Sequence, residues 1–216
     1  MMKKIKKTIF KRLKFEQKKE WDKLAYAFLK KNDWILDVGC GEGRFIAQNP
    51  KKIKGLDLNK DSIKVCQRKG YQVIKGDARH LPFKKESVPA IHCSHLIEHF
   101  FPQEVHQILF EFNRVLKPKG ILVIRSPFLW NQFYSDLTHI RPYNPGVISR
   151  YLAAKGQSQH ALKPISQDYQ TIFLKWRYQP LVIGNKYFDL IFNALNHWGF
   201  PWLKKNGYLL VMKKEK

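Results

Sequence analysis

The sequence predicts an α/β fold, a mostly parallel β-sheet covered by helices on both faces. From residue 33 onward, short apolar runs alternate with longer stretches of helical spacing. The first of these runs ends in a glycine-rich turn, and a glycine opens the run beginning at residue 121. The chain has 216 residues, 44% of them apolar, enough to bury a sizeable core. Strands alternating with helices give a parallel sheet, and right-handed crossovers set the loops after the strands along one edge, where ligands bind.

Residues 1–31 are basic and have helical spacing: Ile5, Ile9 and Leu13 step by four, and Trp21, Leu24, Ala25 and Phe28 continue an apolar face. Such a helix either lies on an anionic membrane or an RNA backbone, or packs its apolar face on the domain with its lysines in water. Asp33–Val38 then reads as the first strand, Ile53–Leu58 as the second, Lys60–Lys69 as a helix, Tyr71–Lys75 and Ala90–Ser94 as further strands. Pro102–Leu116 has helical spacing through Val105, Ile108, Leu109, Phe112 and Val115, and Gly120 opens a fifth strand. Ser126–Pro145 reads as a long functional loop, rich in aromatic residues, Pro and Asn. Thr171–Trp176 and Gly207–Met212 are the last strand candidates, with an unusually aromatic segment between them. No linker divides the chain after residue 31, so 32–216 reads as one domain.

The composition excludes several classes. Fourteen per cent aromatic residues is too many for a disordered polycation. No apolar run reaches the length of a spanning helix, and the start, MMKKIKKTIFKRLKF, has no apolar stretch of signal-peptide length. Cys40, Cys66 and Cys93 form no C-x-x-C pair, which favours a reducing, cytoplasmic setting. The net charge of +23 admits nucleic acid, an anionic membrane or a background lysine bias. Lysine outnumbers arginine 31 to 9, which weakens the nucleic-acid reading because phosphate grips favour the arginine fork.

The sharpest local signal is Asp37-Val-Gly39-Cys40-Gly41-Glu-Gly43-Arg. Glycines after a strand permit a tight turn whose backbone approaches a ligand. The spacing is not G-x-G-x-x-G, and the acid before the first glycine suits a cationic ligand better than a pyrophosphate. Asp57 ends the second strand, where a carboxylate reaches a ribose diol; the alternative is a helix N-terminal acid before Lys60.

These residues resemble a known family, the class I S-adenosylmethionine-dependent methyltransferases, in the small-molecule and ubiquinone-type branch. The resemblance runs through ILDVGCGEGRF, GLDLNKDSI, GDARHLPF, IHCSHLIEHF and FNRVLKPKGILVI, in order, over about residues 33–125. It implies a Rossmann-like seven-stranded sheet with the last strand antiparallel, a cofactor half at 32–125 and an acceptor side at 126–216. It also implies that S-adenosylmethionine is the cofactor and S-adenosylhomocysteine the product. Gly39, Cys40, Gly41 and Gly43 would shape the turn beside the methionyl part, with Asp37 orienting its amino group. Asp57, with Leu58, would bind the ribose; Asp77, with Ala78, the adenine; His95 and Leu96 would line the wall near the sulfonium. The acid usual before strand four is replaced by Ser87-Val-Pro89, and only a local change is expected there.

Methyl transfer is mainly a matter of alignment, and a general base helps only where the acceptor loses a proton. The run Asp136-Leu-Thr-His139-Ile-Arg141-Pro-Tyr143 offers a base, His139, and an acid to orient it, Asp136. Arg141 would grip an anionic group, and Tyr143 and Trp130 would complete a substrate surface. The run resembles a segment of bacterial methyltransferases of surface-glycan biosynthesis. The competing reading is a structural lock that closes the loop. The signatures of base-amino and cytosine-C5 methylation are absent, Cys93 reads as a core thiol, and no cluster with metal-ligand spacing is found, so no metal is expected. The expected activity is therefore O-methylation of a glycan, lipid-linked or other small hydroxylated acceptor. RNA modification and a non-catalytic cofactor-binding module are the alternatives. An anionic membrane surface is a candidate partner: the basic N-terminal helix would dock there with Tyr187, Phe188, Phe192, Trp198, Phe200 and Trp202, which otherwise cap the sheet.

Overall fold

The computed structural model describes residues 19–130, 132–153, 162–178, 188, 191 and 205–216. Seven strands form one sheet: β1 (Ile35–Val38), β2 (Ile53–Asp57), β3 (Val73–Lys75), β4 (Val88–Ser94), β5 (Leu116–Pro127), β6 (Tyr169–Tyr178) and β7 (Lys205–Lys214). Their spatial order is β3-β2-β1-β4-β5-β7-β6. The β1–β2, β1–β4, β2–β3 and β4–β5 pairs are parallel, whereas β7 runs antiparallel to both β5 and β6. The sheet is thus the expected one, with the last strand reversed.

Both faces of the central strands are buried, which explains why β4 and the middle of β5 read as near-continuous apolar runs. On one face, Ile91, Cys93, Leu122, Ile124, Leu210 and Met212 pack under α3 (Pro102–Val115) and α4 (Pro145–Ala153). On the other, Ala90, Val123, Leu209 and Val211 pack with α1 (residues 19–29) and with Cys66 of α2 (Lys60–Arg68).

The described part of the basic N-terminal segment is therefore a core element. Trp21, Ala25 and Leu29 recur at four-residue steps on one face of α1, and all three are buried. An ion cluster fixes the helix as well. Asp22 is buried and pairs with the buried Arg125 of β5, and Arg44, in the turn after β1, reaches the same carboxylate at 3.2 Å. Residues 1–18 and most of the aromatic segment lie outside the described residues; Phe188 is exposed. Among the described residues, no helix is long and apolar enough to cross a membrane.

Several boundaries move. β5 begins at Leu116, because Leu116 pairs with Val88 before the register shifts to Ile121 against Ala90. Pro89 sits in that irregularity, a position in a sheet where a residue without an N–H is tolerated. The change at Ser87-Val-Pro89 is local, as expected. α4 forms inside what reads in the sequence as loop and unassigned chain; Asn144 starts it by accepting from the Gly146 N–H at 2.8 Å.

Candidate functional site

The carboxyl ends of β1, β2 and β4 bring the glycine turn, Asp57 and the segment after β4 to one edge. Gly39, Gly41 and Gly43 all have positive φ, at 72°, 52° and 79°. Two of them are also tightly packed: a Cβ on Gly39 would lie 2.9 Å from Leu96, and one on Gly43 would lie 2.6 Å from Tyr71. Gly41 has open space where a Cβ would be. A side chain at Gly39 would thus meet protein, whereas one at Gly41 would enter free volume.

Asp57 is half-buried beside this volume. Its carboxylate accepts from the Gly41 N–H at 2.7 Å and from the Asn59 N–H at 2.9 Å. Asn59 in turn caps α2 by accepting from the N–H groups of Asp61 and Ser62. The carboxylate is held from behind, and each oxygen keeps a further lone-pair direction. Leu58, next to it, is 58% exposed, an apolar surface beside a polar anchor. This donor set fits a nucleoside-bearing cation: a fixed carboxylate for hydroxyls, an apolar wall and an open glycine.

The other acids are more engaged than expected. Asp37 is buried and meets His92 Nδ1 at 2.7 Å; His92 stacks on Phe45 and leaves its Nε2 buried without a partner. Asp77 forms a bidentate pair with Arg79, which holds its carboxyl below the usual carboxylate range, and Arg79 continues to Glu104 of α3. Ala78 is buried behind it. Cys40 is buried, and burial pushes its thiol up out of the reactive range. Cys93 is likewise a buried core thiol.

After β4, His95 adopts φ of 56°, a left-handed conformation uncommon outside glycine. Its N–H donates to Arg125 O at 2.9 Å and its Nδ1 faces Glu98 at 3.2 Å. Leu96 packs on Gly39. Glu98 organises the region. Its carboxylate is fully buried and accepts from Ser126 Oγ, while its backbone carbonyl accepts the N–H groups of Ile140 and Arg141 at 2.9 and 3.3 Å. Those two bonds tie the acceptor-side loop to the turn Ile97–His99.

His139 therefore comes to rest against His99, with ring centroids 5.0 Å apart. The proposed Asp136–His139 pair needs correction. Asp136 accepts from the Thr138 N–H and hydroxyl at 2.9 and 2.6 Å, whereas His139 Nδ1 is held by Phe133 O at 2.7 Å. An acid two residues before a threonine hydroxyl closes its own turn more readily than it reaches further. Arg141 and Tyr143 line a pocket of about 290 Å³ with Val105, His106, Ile148 and Tyr151, between α3 and α4. The Tyr143 hydroxyl donates to Phe100 O, and burial holds it protonated, pushed up to about 12. Trp130 is half-buried, and its carbonyl receives the Phe133 N–H. Glu98, Ser126 and His92 are functional candidates that the sequence does not single out; the adjacent Glu98 and His99 after β4 are the only local signal for them.

Residues 36–124 match the family model described as a methyltransferase domain. A solved methyltransferase from Archaeoglobus fulgidus superposes with a TM-score of 0.66 at 22% identity, over 92% of this chain and 94% of that one. The fold is that of a class I S-adenosylmethionine-dependent methyltransferase. S-adenosylmethionine is the cofactor that this fold and the matched domain use. In sequence the chain is similar to curated relatives of two kinds. One is a tRNA (carboxymethyluridine(34)-5-O)-methyltransferase of Arabidopsis thaliana, 30% identical over 58% of this chain and 31% of its own length. Another is a phthiotriol/phenolphthiotriol dimycocerosates methyltransferase of Mycobacterium ulcerans, 38% identical over 41% of this chain and 35% of its own length. The chain spans about a third of these relatives. By name they divide between tRNA and phthiotriol or phenolphthiotriol dimycocerosates, so they favour no ubiquinone-type or glycan-specific branch.

Proposed function

We propose that the protein transfers a methyl group from S-adenosylmethionine to the oxygen of a hydroxylated acceptor of the glycan, lipid-linked or other small-molecule class. The observation that carries this reading is the pair of hydrogen bonds that the Ile140 and Arg141 N–H groups donate to the Glu98 carbonyl, which seats His139 beside His99 on the edge that also holds Gly41 and Asp57. When bound, the cofactor supplies a methyl group on a sulfonium. Asp57 and Leu58 would hold its ribose, Asp77 and Ala78 its adenine, and Asp37 its amino group beside Gly39, Cys40, Gly41 and Gly43. His95 and Leu96 would wall the reacting end. On transfer of that methyl group to the acceptor oxygen, the hydroxyl proton would pass to Nε2 of His139. That nitrogen is free because Nδ1 is already committed to Phe133 O. Arg141 and Tyr143, from their pocket, would set the acceptor's far end, with Trp130 at the loop's entrance.

An RNA acceptor is the second reading, favoured by the +23 charge and by the tRNA-modifying relatives. We place the enzyme in the cytoplasm, at the membrane face where its acceptor is lipid-linked. The test is incubation with isotope-labelled cofactor and separated glycan, lipid and RNA fractions, read by mass spectrometry. A labelled CH₂ increment in the glycan or lipid fraction is expected; one confined to RNA overturns the first reading, and none in any fraction overturns both.

A further inference from the structure

We propose that Glu98, His99 and His139 form a binding site for a divalent transition-metal ion. Each side chain offers one ligand atom, and the three atoms all lie within 4.8 Å of one another. The sequence hides this set, because forty residues separate the two histidines.

The outer contacts point the same way. His99 Nδ1 lies 3.0 Å from Thr138 O, and His139 Nδ1 lies 2.7 Å from Phe133 O. A carbonyl oxygen only accepts, so both rings carry their proton on Nδ1 and keep a lone pair on Nε2. A metal-ligating histidine is ordinarily held in this manner, its second nitrogen donating to a carbonyl that fixes tautomer and ring orientation. The third member has an outer shell too. Glu98 is fully buried, receives Ser126 Oγ at 3.2 Å and faces His95 Nδ1 at the same distance. Among the described residues it has no ion pair with a lysine or arginine. Arg177 acts on it electrostatically but spends its hydrogen bonds on Asn206; a buried carboxylate without a directly paired counter-charge favours a cation.

Two imidazole nitrogens and one carboxylate suit zinc or another first-row ion; calcium and magnesium prefer all-oxygen sets. Three protein ligands leave positions for water or an acceptor hydroxyl, whose proton the ion would loosen toward bulk water. With an ion bound, His139 Nε2 is a ligand and no longer the proton acceptor of the proposed transfer, which then belongs to the ion-free protein; the site is read out by the ion itself.

The experiment uses tag-free, chelator-stripped full-length chain titrated with Zn²⁺ against a chromophoric chelator, and with Co²⁺ followed by its visible absorption. One equivalent is expected to bind, with His99→Ala and His139→Ala each weakening it by more than about 100-fold, beyond the loss of an outer-shell partner. His106→Ala, on α3 outside the trio, should bind as the parent does. Absence of stoichiometric binding overturns the site, and so does affinity unchanged in the His99 and His139 variants. If Glu98→Gln does not fold, the two half-buried histidines still decide the matter.

Discussion

At the scale of single residues, orientation comes from backbone carbonyls more than from acids. Asp136 closes the turn at Thr138, and Phe133 O holds His139. His139→Ala should therefore lower kcat by roughly 10²–10⁴-fold, the usual contribution of a positioned base, while Asp136→Asn stays within about tenfold of the parent. Release of S-adenosylhomocysteine measures both; equal losses would return Asp136 to the role that the sequence suggests. Asp77 carries a pH prediction. Its bidentate bond to Arg79 lowers its pKa, so its contribution to stability is present above the unfolded value of about 3.9 and is lost as pH falls through the folded value. Asp77→Asn should melt below the parent at pH 7, and the gap should close progressively on acidification below pH 4. A gap independent of pH in thermal melts would mean that the pair adds no linked stability.

At the scale of elements, α1 shows how a basic segment becomes structural. Its lysines suggest a membrane or RNA surface, but the four-residue recurrence of Trp21, Ala25 and Leu29 puts one face into the core. Asp22 lies among those apolar positions, and it is the only carboxylate paired with Arg125 among the described residues. Removing its charge leaves a buried guanidinium uncompensated, so Asp22→Asn should cost roughly 3–5 kcal/mol, measurable by urea denaturation. A loss under about 1 kcal/mol would show that water relieves Arg125.

At the scale of the whole molecule, much of the fold is legible in the chain because the central strands are buried on both faces and each βα unit writes its own punctuation. ILDV before three glycines, and GLD before an asparagine cap, need no long-range information. The candidate site is legible only in part. Asp57 and the glycines are local signals, whereas Glu98, His99 and His139 meet because two loops forty residues apart share the Glu98 carbonyl. β5 starts earlier than its sequence pattern indicates for a similar reason, since its Leu116 end is defined by Val88 across the sheet. The clasp at Asp22 has a further consequence, for inheritance. One carboxylate on α1 serves Arg44 of the glycine turn and Arg125 at the end of β5, so three distant codons form one unit. A chimera that exchanges the first thirty residues with those of a relative keeps its fold only if the donor helix carries an acid at that position, or if both arginines change with it.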